Sequence, residues 1–106
     1  MINIVFLRSG DKLTGYRVSG HSDYAEQGSD IICAAVSSAA YMTANTVTDV
    51  LNLSPELNVS DGEMLLELKT MDQAAAADDI LSGFWLHITE LQKQYPDFIH
   101  VNNTEV

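Results

Sequence analysis

Cys33 is the only cysteine of the chain, and a histidine, His21, stands twelve positions before it. A polar loop over residues 20–29 separates them, with Gly20 and Gly28 near its ends, and Asp30 then opens an alanine-rich segment. With Asp30 or Ser29 as cap, the segment reads as a helix whose third residue is Cys33. A thiol there lies close to unpaired backbone N–H groups and to the positive end of the helix dipole. Both favour the thiolate, which is the nucleophile. The loop can fold back so that the His21 imidazole reaches the sulfur. The imidazolium then stabilises the thiolate and can hand its proton to an amine leaving group. Ser37 is one helical turn beyond Cys33, so its hydroxyl can share that face. Asp30 caps the helix and can also orient His21. The plainer readings are a buried, inert core thiol and a solvated loop histidine. The pairing of the two, more than either residue alone, carries the signal.

Other chemistry finds little support. His87 falls on a second helix and His100 on a late strand, and neither has a metal-ligand spacing partner. No glycine-rich phosphate loop occurs, and neighbouring Asp78 and Asp79 face different directions on a helix. The sequence therefore predicts no metal and no cofactor.

These side chains need a scaffold. Residues 2–7 read as a strand with Ile2, Ile4 and Phe6 on one face and Val5 and Leu7 on the other, both faces partly covered. A turn at Ser9-Gly10-Asp11-Lys12 leads to a pairing strand over 13–19. The first helix is predicted over 30–53, with an inner stripe of Ile32, Val36, Ala39, Ala40, Thr43, Val47, Val50 and Leu51. Small residues Ala34, Ala35, Ser37 and Ser38 let another backbone approach. Strands over 57–60 and 63–70 flank Asp61-Gly62, a hairpin signal. A second helix spans 73–95, capped by Asp72, with Ala76, Ala77, Ile80, Leu81, Phe84, Ile88 and Leu91 facing inward. Pro96 ends it, a short strand covers 98–101, and 102–106 should fray. The order ββαββαβ predicts an α+β fold. Its simplest form is a two-layer sandwich of a mixed, mostly antiparallel five-stranded sheet and two long helices.

The chain has 106 residues, 46% of them hydrophobic, which suits one folded domain over 1–106 with one core. Its apolar runs fall short of a membrane span, and its apolar start reads as a strand and not a signal peptide, so no membrane partner is expected. A lone cysteine fits a reducing cytoplasm. The net charge is −10, from 15 acidic and 5 basic residues. Such a surface suits a basic protein or peptide and disfavours direct nucleic-acid binding. On charge alone, the plainer reading is that acidity serves solubility.

The run Gly20-His21, Tyr24-Ala25, Gly28 and Asp30-Ile31-Ile32-Cys33-Ala34-Ala35-Val36-Ser37 resembles, in order and spacing, the ribosomal-processing cysteine protease (Prp) family. The order of strands and helices is similar over nearly the whole chain. The resemblance implies a small, acidic, cytoplasmic homodimer. It implies an endopeptidase that removes a short N-terminal extension from a basic large-subunit ribosomal protein, cutting after an aromatic residue. His21 and Cys33 match the family's catalytic pair, Asp30 and Ser37 its supporting residues, and Gly20, Tyr24 and Gly28 belong to the substrate loop. Two other readings compete with a protease. One is a non-enzymatic, ribosome-associated binding module of the same fold; the other is a redox-sensing thiol protein.

Overall fold

Alternating apolar residues at Ile2, Ile4 and Phe6 make the first strand one-sided, and the second strand answers in register. A computed structural model describes residues 1–21 and 30–106. Strands β1 (Ile2–Ser9) and β2 (Lys12–Gly20) form an antiparallel hairpin, with Ile4 opposite Val18 and Phe6 opposite Tyr16. Helix α1 (Ile31–Asn45) follows, then the hairpin of β3 (Glu56–Ser60) and β4 (Glu63–Glu67). Helices α2 (Met71–Ala76) and α3 (Asp78–Gln94) lead to β5 (Ile99–Glu105). The five strands form one sheet in the order β3-β4-β2-β1-β5. Every pairing is antiparallel except β1 with β5, which run parallel. The fold is thus α+β, as the sequence implied.

One face of the sheet carries the core. Ile2, Ile4, Phe6, Tyr16, Met64, Leu66 and Ile99 pack against Ile32, Val36, Ala40 and Val47 from the first helix and Leu81, Phe84 and Ile88 from α3. Phe84 is the aromatic hub, with its ring centroid 5.4 Å from Phe6 and 4.7 Å from Tyr16. Tyr16 is wholly buried, and its hydroxyl donates to the Ala40 carbonyl at 2.8 Å. That bond satisfies the phenol and pins α1 to the sheet. On the opposite face Val5, Leu7 and Leu65 are only half-buried.

The predicted strand over 63–70 ends at Glu67, and α2 begins at Met71 where 73 was expected. Three further differences are larger. The first helix does not stay regular to residue 53: α1 ends at Asn45 and Thr46–Val50 widens into a π-helical turn. The Leu51 amide there donates to the Thr46 carbonyl, five residues back. Thr43, Thr46 and Thr48 each donate a hydroxyl to the carbonyl four residues earlier, a pattern that bends helices. The widened turn carries Val50 and Leu51 out of the predicted stripe, and both are exposed. From Ile31 to Val50 the helix is long and apolar enough to cross a membrane by length and composition alone. Here its buried residues pack on the sheet.

The second predicted helix breaks at Ala77, whose φ of −98° and ψ of 6° separate α2 from α3. Thr70, not Asp72, caps α2, its side chain accepting from the Gln73 amide at 3.2 Å. Asp78 and Asp79 open α3 and favour its N-terminal dipole. The break leaves Ala76 exposed, while Ala77 is buried. Finally, 102–106 does not fray. Strand β5 pairs with β1 as far as Arg8 opposite Glu105. The polar run Asn102-Asn103-Thr104-Glu105 hid that strand, because its register comes from a neighbour and not from its own pattern.

Candidate active site

Gly20 ends β2 with φ +87°, a conformation that suits glycine. A Cβ at this position would lie 2.4 Å from the Met1 carbonyl oxygen, so only glycine lets the two backbone segments approach. His21 follows immediately, exposed at the mouth of a cleft, and its carbonyl accepts from the Met1 amine. The chain re-enters the described structure at Asp30. Asp30 is 8% exposed and is the N-cap of α1, one carboxylate oxygen accepting from the Ile32 and Cys33 amides at 3.0 Å each. The first helical bond then runs from the Ala34 amide to the Asp30 carbonyl.

This cap modifies the sequence argument for the thiolate. The Ile32 and Cys33 amides, which a sulfur at the helix start would have used, are bonded to the Asp30 carboxylate. A negative side chain also sits at the positive end of the dipole. The Ile32 and Cys33 amides are therefore shared with Asp30 and are not left to the sulfur alone.

A cleft of about 590 Å³ brings the predicted residues together. Among the described residues its lining includes Gly20, His21, Asp30, Cys33 and Ser37. Cys33 is half-buried and Ser37 exposed, one turn apart on the same helix wall. Tyr24 and Gly28, the other two predicted loop residues, lie outside the described residues.

The cleft also uses residues to which the sequence reading gave no role. Ile2, Val18, Val36, Ala40 and Met64 supply an apolar floor, Tyr41 flanks it, and the β3–β4 turn from Ser60 through Asp61 and Gly62 to Glu63 forms the far wall. Asp61-Gly62 is recognisable in the sequence as a turn. Its place beside His21 follows only from the sheet order, which sets β4 next to β2 and lets the Gly20 amide donate to the Gly62 carbonyl at 3.0 Å. Ala34 and Ser37 lie on the small-residue side of α1, and both line the cleft.

The arrangement places a thiol and an imidazole on one cleft with carboxylates at its edge. The family model for the cysteine protease Prp matches residues 1–100. The chain belongs to that family. Membership makes it a cysteine protease, of a kind whose named members process ribosomal proteins. The ribosomal processing cysteine protease Prp of Bacillus subtilis (strain 168) is 26% identical over 107 residues, covering 95% of this chain and 96% of that protein. Its counterpart from Staphylococcus aureus (strain Mu50 / ATCC 700699) is 25% identical over 92 residues, 86% of this chain and 87% of that one. Solved structures share the fold. The essential ribosomal processing protease Prp from S. aureus, in complex with a covalently linked product peptide, superposes with a TM-score of 0.90 at 23% identity, over 98% of this chain and 100% of that one. SMU.848 from Streptococcus mutans gives 0.81 at 26% identity, over 100% and 96%.

Proposed function

We propose that this Prp-family protein is an endopeptidase that removes a short N-terminal extension from a basic large-subunit ribosomal protein, cutting after an aromatic residue. In this reading Cys33 is the nucleophile and His21 the general base and acid. The observation that carries it is the shared cleft. Residues twelve positions apart, separated by a polar loop, both line one groove together with Asp30 and Ser37. The S. aureus relative with a covalently linked product peptide supports a peptide as the occupant.

The chemistry follows from those two groups. His21 takes the thiol proton, and the Cys33 sulfur attacks the scissile carbonyl carbon to form a tetrahedral adduct. The imidazolium gives its proton to the departing amine as the C–N bond breaks, leaving a thioester on Cys33. His21 then deprotonates a water that attacks the thioester, and the proton returns to the sulfur as the acid product leaves. Asp30 fixes the start of the helix and so the height of Cys33 in the cleft. Ser37 offers a hydroxyl one turn away. The apolar floor suits an aromatic side chain, and Asp61 and Glu63 suit a cationic segment beside it. The protein acts in the cytoplasm as a homodimer in this reading.

The test is mass spectrometry of candidate ribosomal protein N-termini incubated with the wild type and with Cys33→Ala. The expected result is a single new terminus after an aromatic residue with the wild type only. Cleavage that persists in purified, folded Cys33→Ala removes Cys33 from the mechanism.

A further inference from the structure

The turn between β3 and β4 meets His21 at close quarters. Gly62 sits at φ +76°, and a Cβ built on it would lie 3.3 Å from His21 Nε2 and 3.8 Å from Cε1. The edge of the imidazole therefore stands where a side chain at Gly62 would crowd it, and a methyl group there requires the ring to give by a few tenths of an ångström. The backbone on both sides of the contact is tied down. The Gly62 carbonyl accepts from the Gly20 amide at 3.0 Å, and the His21 carbonyl accepts from the Met1 amine. Without such a support an exposed histidine at the end of a strand has several rotamers open to it. The turn reduces that freedom by offering the ring a fixed wall.

We infer that Gly62 is a positioning residue for His21, and that the β3–β4 turn sets where the imidazole stands over the cleft. The inference rests on the proposed acid–base role of His21. Proton transfer depends on heavy-atom distance and angle, and misplacing a catalytic group by ~1 Å can cost on the order of 100-fold. A displacement of a few tenths of an ångström by a methyl group on Gly62 is expected to lower kcat by roughly 10-fold. KM is expected to change less than kcat, because the methyl group displaces the proton-transfer group and leaves in place Asp61 and Glu63, the carboxylates proposed to suit a cationic segment.

Backbone strain must be separated from the contact, and the molecule contains its own control. Gly10, in the β1–β2 turn, has φ +63°, and a Cβ there meets nothing within 4 Å. Gly10→Ala therefore imposes the left-handed strain without any obstruction. Gly62→Asn does the reverse, since asparagine tolerates that conformation but keeps the Cβ. The experiment measures kcat and KM for peptide cleavage, with the His21 ring resonances by NMR, in Gly62→Ala, Gly62→Asn, Gly10→Ala and His21→Ala. The expected pattern is a kcat loss of roughly 10-fold in both Gly62 variants, with moved His21 resonances and a smaller change in KM. Gly10→Ala should keep wild-type kcat. Wild-type kcat in Gly62→Asn, or an equal loss in Gly10→Ala, overturns the positioning role while an inactive His21→Ala leaves the acid–base reading standing. A His21→Ala variant with wild-type kcat overturns both. If Gly62→Ala fails to fold, Gly62→Asn carries the decision alone.

Discussion

Asp30 holds the first turn of α1 through two amides, at Ile32 and Cys33, so its carboxylate combines a structural bond set with a charge beside the thiol. Two substitutions separate these. Asp30→Ala removes the cap and is expected to lower stability by ~1 kcal/mol, together with a loss of turnover. Asp30→Asn caps about equally well, so its denaturation midpoint should stay near that of the wild type. A fall in kcat in this variant then reports the charge. Unchanged midpoint and unchanged kcat in Asp30→Ala contradict both parts. Tyr16 gives a second prediction at this scale. Burial pushes its phenol well above the ordinary tyrosine range, because the core holds only the neutral form. The native state keeps this proton at a pH where the unfolded chain, titrating near ~10, has released it. Through this group stability is level below about pH 10 and falls as pH rises beyond it, by up to ~1.4 kcal/mol per pH unit. Tyr16→Phe should flatten that alkaline decline, at a neutral-pH cost of ~1 kcal/mol for the lost bond to Ala40. Urea titrations at a series of pH values check both, and an unchanged alkaline slope in Tyr16→Phe counts against Tyr16 as its source.

At the scale of elements, the legible parts were those whose own residues specify them. The alternation of Ile2, Ile4 and Phe6, the Asp61-Gly62 turn and the Asp30 cap each act locally, and each stands where the sequence placed it. His21, Asp30, Cys33 and Ser37 came together because a helix start and a strand end converge at one end of the sheet. What stayed hidden depends on neighbours. The β3–β4 turn reaches His21 because β4 lies beside β2, a consequence of strand order that no local pattern encodes. The π-helical turn sits among three threonines whose hydroxyls bond backward and bend the helix, and the break at Ala77 interrupts a segment whose periodicity looks continuous. Strand β5 is the clearest case, since its polar half is held by β1. Arg8 reaches Asn103 at 2.9 Å and Glu105 at 2.7 Å, the Gly10 amide donates to Glu105 at 2.8 Å, and the Val106 amide donates to the Arg8 carbonyl at 2.9 Å. The Arg8–Glu105 pair is exposed, so Glu105→Gln should lower stability by no more than ~1 kcal/mol. Deleting 102–106 removes half a parallel ladder and bares a hydrogen-bonding edge of β1, with a larger loss and a tendency to associate through that edge. Thermal melts and light scattering of the two variants check this. Equal melting temperatures for the deletion and the wild type mean that β5 beyond Val101 contributes nothing.

The whole molecule carries a net charge of −10, and three carboxylates among the described residues line the cleft: Asp30, buried as the cap of α1, and Asp61 and Glu63 in the β3–β4 turn. Glu63 is partly neutralised by Arg17 at 2.9 Å. Among the described residues, Asp61, exposed in the turn and without an ion pair to Arg17, is therefore the carboxylate that the proposed reading sets against a cationic segment of a bound peptide. Two effects should follow, and they act over different distances. The global field raises the rate of encounter with a basic substrate, and salt screens it over ~8 Å at physiological ionic strength. The local charge at Asp61 acts at contact range and is screened less. For a lysine-rich peptide kcat/KM should thus fall as salt is raised, while for a neutral peptide with the same cleavage site it should stay level. Asp61→Asn should raise KM for the lysine-rich peptide several-fold and leave kcat near wild type if, as proposed, the carboxylate meets the substrate's cationic segment and takes no part in proton transfer. The measurement is steady-state cleavage of the two peptides across a salt series, with the wild type and Asp61→Asn. Identical salt profiles for the two peptides would assign the acidity to solubility alone, and an unchanged KM in Asp61→Asn would remove the turn from substrate recognition.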